Sequence, residues 1–271
     1  MLLAAVLLLS SSGCKKVSNQ AIFDDMSKAM AEVHSYRMVM DISICMEAYG
    51  MKMTIKASLD GQVIDNPTKM KGTMNVKIPF SEDQTMEMYS EVQGDQVAVY
   101  AQDLQTGQWI KTLTPNTQNS GSSLAYSGFG DIFKNAKRNE QTLNGKAAYR
   151  FVAEITGEQM NELFNSLGNQ VNKEMLEMFD DLDFSGSKTP IVLYIDKDSA
   201  QVLGMDFELS DLLQKAMASQ GVEMDDMTIS FIMRFSDYNA IADFEIPPEA
   251  LEAPEAGSDS DPLFPSTNIL T

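Results

Sequence analysis

The sequence has few of the residues from which metal and catalytic sites are usually built. It contains two cysteines, one histidine and one tryptophan among 271 residues. A lone histidine without a cysteine cluster cannot supply the ligands of a zinc-type site, and no disulfide framework is indicated. Neither a P-loop nor a serine in a nucleophile elbow occurs. We therefore expect a protein that is not an enzyme and that uses no metal or cofactor.

Basic residues are also scarce. The chain carries 20 lysines and arginines against 39 acidic residues, which gives a net charge of −19. Because nucleic acids are bound through clustered basic side chains, this balance excludes a nucleic-acid partner. The same negative charge disfavours adsorption of the chain to anionic lipid headgroups.

Long apolar runs are missing as well. The leucine-rich run at 2–9 falls far short of the roughly 20 residues that a membrane-spanning helix needs. It has the length of a signal-peptide core, and the small residues Ser11, Ser12 and Gly13 follow it, as is typical before a cleavage site. We expect residues 1–13 to be a signal peptide. The alternative is a buried hydrophobic strand followed by an incidental cysteine.

Residues 9–14, Leu-Ser-Ser-Ser-Gly-Cys, resemble the lipobox of bacterial lipoproteins. The resemblance implies cleavage by signal peptidase II just before Cys14 and attachment of a diacylglyceryl lipid, with palmitate-type chains, to its thiol. Two features depart from the pattern: Ser11 stands where leucine is usual, and no basic residue precedes the run. Two acyl chains anchor a protein stably, whereas one holds it only marginally. We expect a lipid anchor at Cys14 and a tether over 14–18.

The chain after the tether begins with a helix and then changes its period. Ile22, Met26, Met30 and Val33 recur at helical spacing, and Ser18 or Asn19 can cap the start, which predicts a helix over 19–34. From Tyr36 onwards apolar and polar side chains alternate, as they do in half-buried strands. Six such strands in succession predict an antiparallel meander. The predicted strands are 36–46, 51–59, 69–80, one around 86–88, 96–102 and 108–113, with turns at Asp60-Gly61, Asn66-Pro67, Gly94-Asp95 and Thr106-Gly107.

The second half mixes hairpins with helices. Residues 114–130 are rich in Ser, Asn, Gly and Thr and predict a mobile loop. Asn144-Gly145 predicts a tight hairpin between 138–143 and 146–155. Thr156 and Gln159 resemble a capping box that opens a helix. Further helices are predicted up to 167, over 171–179 and over 211–220, and further strands at 191–195, 202–209 and 227–235.

The end of the chain is predicted to lie outside the folded domain. We expect Pro247-Pro248 to end the domain. Residues 251–271 are acidic and contain Pro and Ser, which predicts a disordered tail.

One face of the predicted sheet is apolar and rich in methionine. About eleven strands of eight residues cover on the order of 1,300 Å² per face, whereas the predicted helices cover only about 700 Å². What remains is either packed core or an apolar cavity. The 20 methionines are typical of surfaces that accept varied ligands, or else fill gaps in an ordinary core. The candidate ligand contacts are Met38, Met40, Ile42, Met53, Ile55, Met70, Met74, Met86, Met88, Trp109, Phe207, Phe231 and Met233.

The order of these elements resembles the LolA/LolB and LppX/LprG-like lipoprotein superfamily, and within it the Met-rich lipoproteins of Gram-positive Firmicutes. The resemblance implies an α+β fold, in which a large curved antiparallel sheet forms a half-open β-barrel with a helical lid on its concave face. It implies that acyl chains or lipidated molecules bind inside. The segments that carry it are Ser35-Tyr36-Arg37-Met38, Asn66-Pro67-Thr68-Lys69-Met70, Met86-Glu87-Met88-Tyr89, Gln108-Trp109-Ile110-Lys111 and Phe235-Ser236-Asp237-Tyr238-Asn239.

These observations predict a single domain over 19–250, held by its lipid on the outer face of a Gram-positive cell membrane. Its expected partners are that membrane and a lipid or other hydrophobic small molecule, and we expect a monomer. The alternative is a structural or interaction module of the cell surface that binds a protein or wall partner with its outer face.

Overall fold

The computed structural model of the chain is built around one sheet of eleven antiparallel strands. The strands are β1 (Ser35–Ala48), β2 (Met51–Asp65), β3 (Thr68–Lys77), β4 (Gln84–Gln93), β5 (Gln96–Gln102), β6 (Trp109–Pro115), β7 (Lys137–Leu143), β8 (Lys146–Thr156), β9 (Lys188–Asp196), β10 (Val202–Glu208) and β11 (Thr228–Ser236). The helices are α1 (Asn19–Ala31), α2 (Phe129–Phe133) and α3 (Pro248–Leu251). The structure describes residues 17–48, 51–65, 67–104, 106–116, 129–156, 159, 188–211, 214 and 227–255.

The strands form two meanders that meet at the first and the last strand. Their order is β6-β5-β4-β3-β2-β1-β11-β10-β9-β8-β7, so that β1 pairs with β11. Among the described strands, β6 and β7 are the two edges and do not pair with each other, so the sheet is open. The predicted antiparallel meander is therefore confirmed, and the open sheet fits a half-open barrel.

Helix α1 packs on the face of the sheet that we call the inner face. The hydroxyl of Ser18 caps its start by accepting the N–H of Ala21 at 3.2 Å, as predicted. Ile22, Met26 and Met30 are buried, and Val33 is buried just beyond the end of the helix. The periodicity missed Phe23, whose ring lies 4.8 Å from that of Phe151 and 6.0 Å from that of Phe133. The helix thus packs against α2 and β8.

The predicted turn at Asp60-Gly61 is wrong, because β2 runs through both residues to Asp65. β1 is 14 residues long, and β2 pairs with it along its whole length. Asp60 accepts two hydrogen bonds from the Arg37 guanidinium, at 2.8 and 2.6 Å, across this ladder. Gly61 lies opposite Gly72 of β3, where a Cβ atom would lie 3.0 Å from Leu59 Cδ1. Gly72 therefore allows close packing within the sheet, and Gly61 lies in extended strand and does not mark a turn.

The predicted strand 69–80 ends too late. β3 ends at Lys77, and Phe80 lies in the following turn with φ +64° and a side chain that is 96% exposed. Phe80 continued the apolar alternation of the strand, which is why its sequence position was misleading.

Several local predictions of the second half are confirmed. Asn144 and Gly145 adopt φ values of 50° and 80° between β7 and β8, as a tight hairpin requires. Thr156 and Gln159 exchange the two hydrogen bonds of a capping box, at 3.0 and 3.3 Å. The helices predicted after them lie outside the described residues, as does most of the helix predicted at 211–220 and residues 117–128 of the predicted loop. A helical lid is therefore described only as far as α1 and α2.

The C-terminal boundary was predicted too early. Pro247-Pro248 do not end the domain, because Pro248 begins α3. Residues 240–255, here called the C-terminal strap, continue along the other, outer face of the sheet. The N–H of Lys111 in β6 donates to the carbonyl of Pro254 at 3.0 Å, and Glu255 forms a bridge with Lys111. Residues 251–255 thus belong to the fold, and 256–271 lie outside the described part of the chain.

Candidate functional site: the inner face of the sheet

The strand register brings nearly all predicted ligand contacts onto the inner face. Directly opposite residues of an antiparallel ladder share a face. Met40 lies opposite Leu59 and Met233, and Met74 lies opposite Leu59 and Met86. The predicted residues on the inner face are Met38, Met40, Ile42, Met53, Ile55, Met70, Met74, Met86, Met88, Phe207, Phe231 and Met233.

One part of this face is packed core. Met38, Met86, Met88, Phe207, Phe231 and Met233 are all buried. The rings of Phe207 and Phe231 stack at 4.8 Å with an interplanar angle of 13°, a geometry that adds about 0.5–1.5 kcal/mol to the burial of the two side chains. These residues support the site and are already covered by protein.

The other part of the inner face is only half buried. It spans β1, β2 and β3, and several of its residues pack against the buried core while keeping one side accessible. We call it the apolar floor, and its residues are Met40, Ile42, Ile44, Met53, Ile55, Met70 and Met74.

The apolar floor carries no charge, because the alternation sends the charged residues beside it to the outer face; Asp65, the last residue of β2, is the charged residue of these strands that lies on the inner side. Asp41 lies opposite Ser58, and Lys56 lies opposite Ser43 and Lys77, all between inner-facing apolar neighbours. Such a surface offers hydrocarbon and thioether groups and no side-chain hydrogen bond. It is therefore suited to a hydrocarbon chain and cannot orient a polar group.

Trp109 does not belong to this site, and the prediction that placed it there is wrong. It lies opposite Gln102, on the outer face, where its ring is 5.7 Å from that of Tyr89. This outer cluster also contains Tyr100 with Ile246 and Ala250 of the C-terminal strap. Trp109 is followed directly by Ile110, so the apolar pattern of β6 did not reveal which of its faces is inner.

A cluster of polar side chains that was not predicted lies on the outer face. The Arg234 guanidinium donates to the Asp206 carboxylate and to the carbonyl of Met233, and it lies 5.2 Å from the Tyr194 ring. The Tyr194 hydroxyl donates to Asp206 at 2.9 Å, and burial raises the pKa of this hydroxyl. These three side chains satisfy one another across β9, β10 and β11, which is the behaviour of a structural cluster.

Other classes of site are not evident in the part of the chain that the structure describes. No group of three or more His, Cys, Asp or Glu side chains there could hold a metal ion. Among the described helices, none combines the length and the apolar character needed to cross a membrane. Cys45 is a half-buried free thiol on the outward side of β1.

A family model described as "Family of unknown function (DUF6612)" matches residues 18–255. The chain belongs to the DUF6612 family. No curated protein matches it. The matched segment of this DUF6612 chain runs from the residue that caps α1 to the last described residue of the C-terminal strap.

Solved structures similar to this DUF6612 protein include proteins with names from the superfamily that its sequence resembles. LprF from Mycobacterium bovis is 16% identical, with a TM-score of 0.48, over 86% of this chain and 97% of that chain. A LolA superfamily protein from Nitrosomonas europaea is 12% identical, with a TM-score of 0.22, over 82% and 92%. An outer membrane lipoprotein-sorting protein domain from Vibrio parahaemolyticus is 8% identical, with a TM-score of 0.26, over 80% and 90%.

Proposed function

We propose that this protein is a non-enzymatic lipoprotein of the cell envelope that binds an acyl chain or another hydrophobic molecule on its apolar floor. The observation that carries the proposal is the set of half-buried apolar side chains on the inner face of β1, β2 and β3. In a fully packed interior these residues would be as buried as Phe231 and Met233 on the neighbouring strand.

The free energy gained by burying an acyl chain is large enough for such binding. Each methylene group that leaves water contributes about 0.8 kcal/mol, so burying roughly ten of them supplies about 8 kcal/mol before the cost of association. Methionine side chains are flexible and adjust to chains of different shape. The floor has no charged residue, so a polar headgroup would remain at its rim.

A matched pair of substitutions on β1 tests the proposal. Ile42→Trp places an indole on the apolar floor, whereas Ser43→Trp places the same group on the opposite face of the same strand. With the delipidated full chain and a fluorescent fatty acid, we expect Ile42→Trp to weaken binding at least about tenfold, or about 1.4 kcal/mol. Ser43→Trp should bind as the wild type does.

Two results would count against this function. The first is a wild-type chain that takes up no fatty acid after delipidation. The second is equal binding by Ile42→Trp and Ser43→Trp, with both variants folded by circular dichroism. Either result would favour a module that binds a protein or wall partner with its outer face.

The anchor at Cys14 is the second part of the proposal. The guanidinium of Arg138 donates to the carbonyl of Val17 at 2.8 Å, which fixes the chain just before α1. Cys14 precedes Val17 by three residues, so the backbone can separate the attachment point of a lipid from Val17 by at most about 10 Å. In a bacterial host fed an alkyne-palmitate, Cys14→Ser should lose the label and leave the membrane fraction. Cys45→Ser should keep both, and a labelled Cys14→Ser variant would contradict the anchor.

A further inference from the structure

The two ends of the sheet differ in what they present to the surroundings. At one end of the sheet, β1 and β3 end and β7 and β11 begin. We call this end the β3–β4 end. At the opposite end α1 passes into β1, and Asn239 accepts the N–H of His34. Helix α1 begins near the start of β7, where Asn19 donates to the carbonyl of Ala136 at 3.1 Å. Val17 and Ser18, which precede α1, therefore lie on the side of the β3–β4 end.

Exposed apolar side chains are concentrated at this end. Val17 precedes α1, Met51 begins β2, and Ile78 and Phe80 follow β3. Met51 at 57%, Ile78 at 42% and Phe80 at 96% lie at the ends of neighbouring strands, whereas Val17 lies beside β7; the other exposed large apolar side chains that the structure describes are Leu251 and Ile232. Lone exposed apolar residues need no explanation, but a group at one end of a sheet indicates a contact surface.

Phe80 is the clearest member of this group. Its φ of +64° is a backbone conformation that a phenylalanine rarely adopts. The turn thus holds an aromatic ring in solvent in a position where glycine or asparagine would be less strained. A turn that served only to connect β3 with β4 would not require an aromatic side chain there.

The charges around these turns are balanced, unlike those of the whole chain. Lys77 forms an ion pair with Asp83 at 2.6 Å, and Lys52 lies opposite Glu47. The described charged residues of the turns and of the strand ends beside them comprise equal numbers of basic and acidic side chains: Lys52, Lys56, Lys77, Glu47, Glu82 and Asp83. These two turns therefore carry no net charge, in contrast to the net charge of −19 of the whole chain.

We propose that the β3–β4 end lies on the bilayer surface, with Phe80 inserted among the lipids and Ile78 and Met51 beside it. Aromatic and aliphatic side chains commonly occupy this interfacial region. Ile44, Met53 and Ile55 of the apolar floor lie near the same end of β1 and β2, so a hydrocarbon chain leaving the bilayer reaches the floor over a short path. The proposal rests on the proposed anchor for its orientation, whereas the exposure of Phe80 supports it independently.

The test uses the anchored full-length product reconstituted into phosphatidylcholine vesicles that contain brominated lipids, which quench tryptophan. Phe80→Trp reports from the β3–β4 end, and Gln96→Trp, an exposed position at the start of β5, reports from the opposite end. Both variants also contain Trp109, so the emission spectrum of the wild type is subtracted from the spectrum of each variant. We expect the Phe80→Trp emission to shift to the blue and to lose intensity in brominated vesicles, and the Gln96→Trp emission to stay unchanged.

Equal quenching of the two variants, or quenching of Gln96→Trp alone, would overturn the proposal. So would a blue shift of Phe80→Trp that appears without vesicles and grows with protein concentration, because it would assign this end to contact with a second copy of the chain.

Flotation of the wild type and of Cys14→Ser with the same vesicles separates the two proposals. If both fail to float, the anchor is absent; if only the wild type floats and Phe80→Trp is not quenched, the anchor stands and the contact is wrong.

Discussion

Asn239 connects the end of β11 to the segment between α1 and β1. Its side-chain carbonyl accepts the N–H of His34 at 2.6 Å, and its amide donates to the carbonyl of Glu32 at 3.1 Å. Its own backbone N–H donates to the carbonyl of Ser35 at 2.8 Å. Its φ of 57° lies in the left-handed region, which asparagine tolerates better than most residues. The short motif at 235–239 therefore has a structural role: it holds α1 over the sheet.

Asn239→Ala should lower the free energy of unfolding by about 2–3 kcal/mol. It removes two side-chain hydrogen bonds, and alanine adopts the left-handed backbone conformation less readily than asparagine does. Asn239→Asp is the matched control, because it keeps the acceptor for His34 and loses only the donor. It should lose about 1 kcal/mol in urea unfolding. If the two variants were equally stable, the role assigned to the acceptor would be incorrect.

Asp60 provides a prediction of pH dependence. The hydrogen bonds and charge of Arg37 lower the pKa of the Asp60 carboxyl from its usual value. A carboxyl whose pKa is lowered by folding stabilises the protein above its unfolded pKa, and this stabilisation is lost as the pH falls through the folded pKa. Because both side chains are about half exposed, we expect the pair to contribute less than about 1 kcal/mol.

Asp60→Asn should therefore be slightly less stable than the wild type near neutral pH. The difference should shrink as the pH drops below about 4, the usual value for a free aspartate, and disappear in stronger acid. Urea unfolding of both proteins over this range measures it. A difference that persisted unchanged into strong acid would show that Asp60 acts through its shape and not through its charge.

At the scale of the elements, the C-terminal strap is the feature that gives the outer face its own small core. Phe244 lies between the ammonium groups of Lys69 and Lys71, at 5.0 and 4.9 Å from its ring centre. Lys69 also donates to the carbonyl of Phe244 at 2.7 Å and pairs with Asp243. Farther along, Ile246 is buried in the cluster that contains Trp109. The strap therefore protects the outer side of β3 to β6.

Ile246→Ala should loosen the strap over Trp109. We expect the tryptophan emission to shift to the red and the free energy of unfolding to fall by roughly 2–4 kcal/mol, as for other large-to-small substitutions at buried sites. Glu245→Ala changes the exposed neighbour and should alter neither quantity appreciably. An unchanged Trp109 spectrum in Ile246→Ala would mean that the strap does not shield the indole.

Most strands of the first meander could be predicted from the sequence because they have a polar and an apolar side, and this alternation also identified the inner-face methionines. Alternation alone gave wrong results where it does not determine the end of a strand or the direction of its faces. It continued past Lys77 to Phe80, although the chain turns there, and it could not choose between the two apolar faces of β6 that carry Trp109 and Ile110. The strap has no long periodic pattern that predicts its partners, so its contacts with Lys69 and Lys111 emerge only from the folded structure. Likewise, Asp60-Gly61 has the composition of a turn and is held extended by its partners on β1 and β3.

For the molecule as a whole, the pairing of β1 with β11 is the seam that makes one sheet of two meanders. Met40 and Met233 lie opposite each other at this seam, and Met205 lies on the far side of Met233. Trp109 is distant from the seam, since it begins β6 at one edge of the sheet. Its fluorescence therefore reports on the first meander and on the C-terminal strap that covers it, whereas far-ultraviolet circular dichroism reports on both meanders.

Met233→Ala tests whether the two meanders unfold together. Met233 is buried, so its truncation should cost about 2–5 kcal/mol, whereas Ile232→Ala, at the partly exposed neighbouring position, should cost less than about 1 kcal/mol. If the seam makes one cooperative unit, the urea midpoints from Trp109 fluorescence and circular dichroism must move together in Met233→Ala. A Trp109 midpoint that stayed in place while the circular dichroism midpoint fell would show that the first meander survives alone. The apolar floor would then lie on a unit that keeps its structure when the second meander, and the core beneath α1, has unfolded.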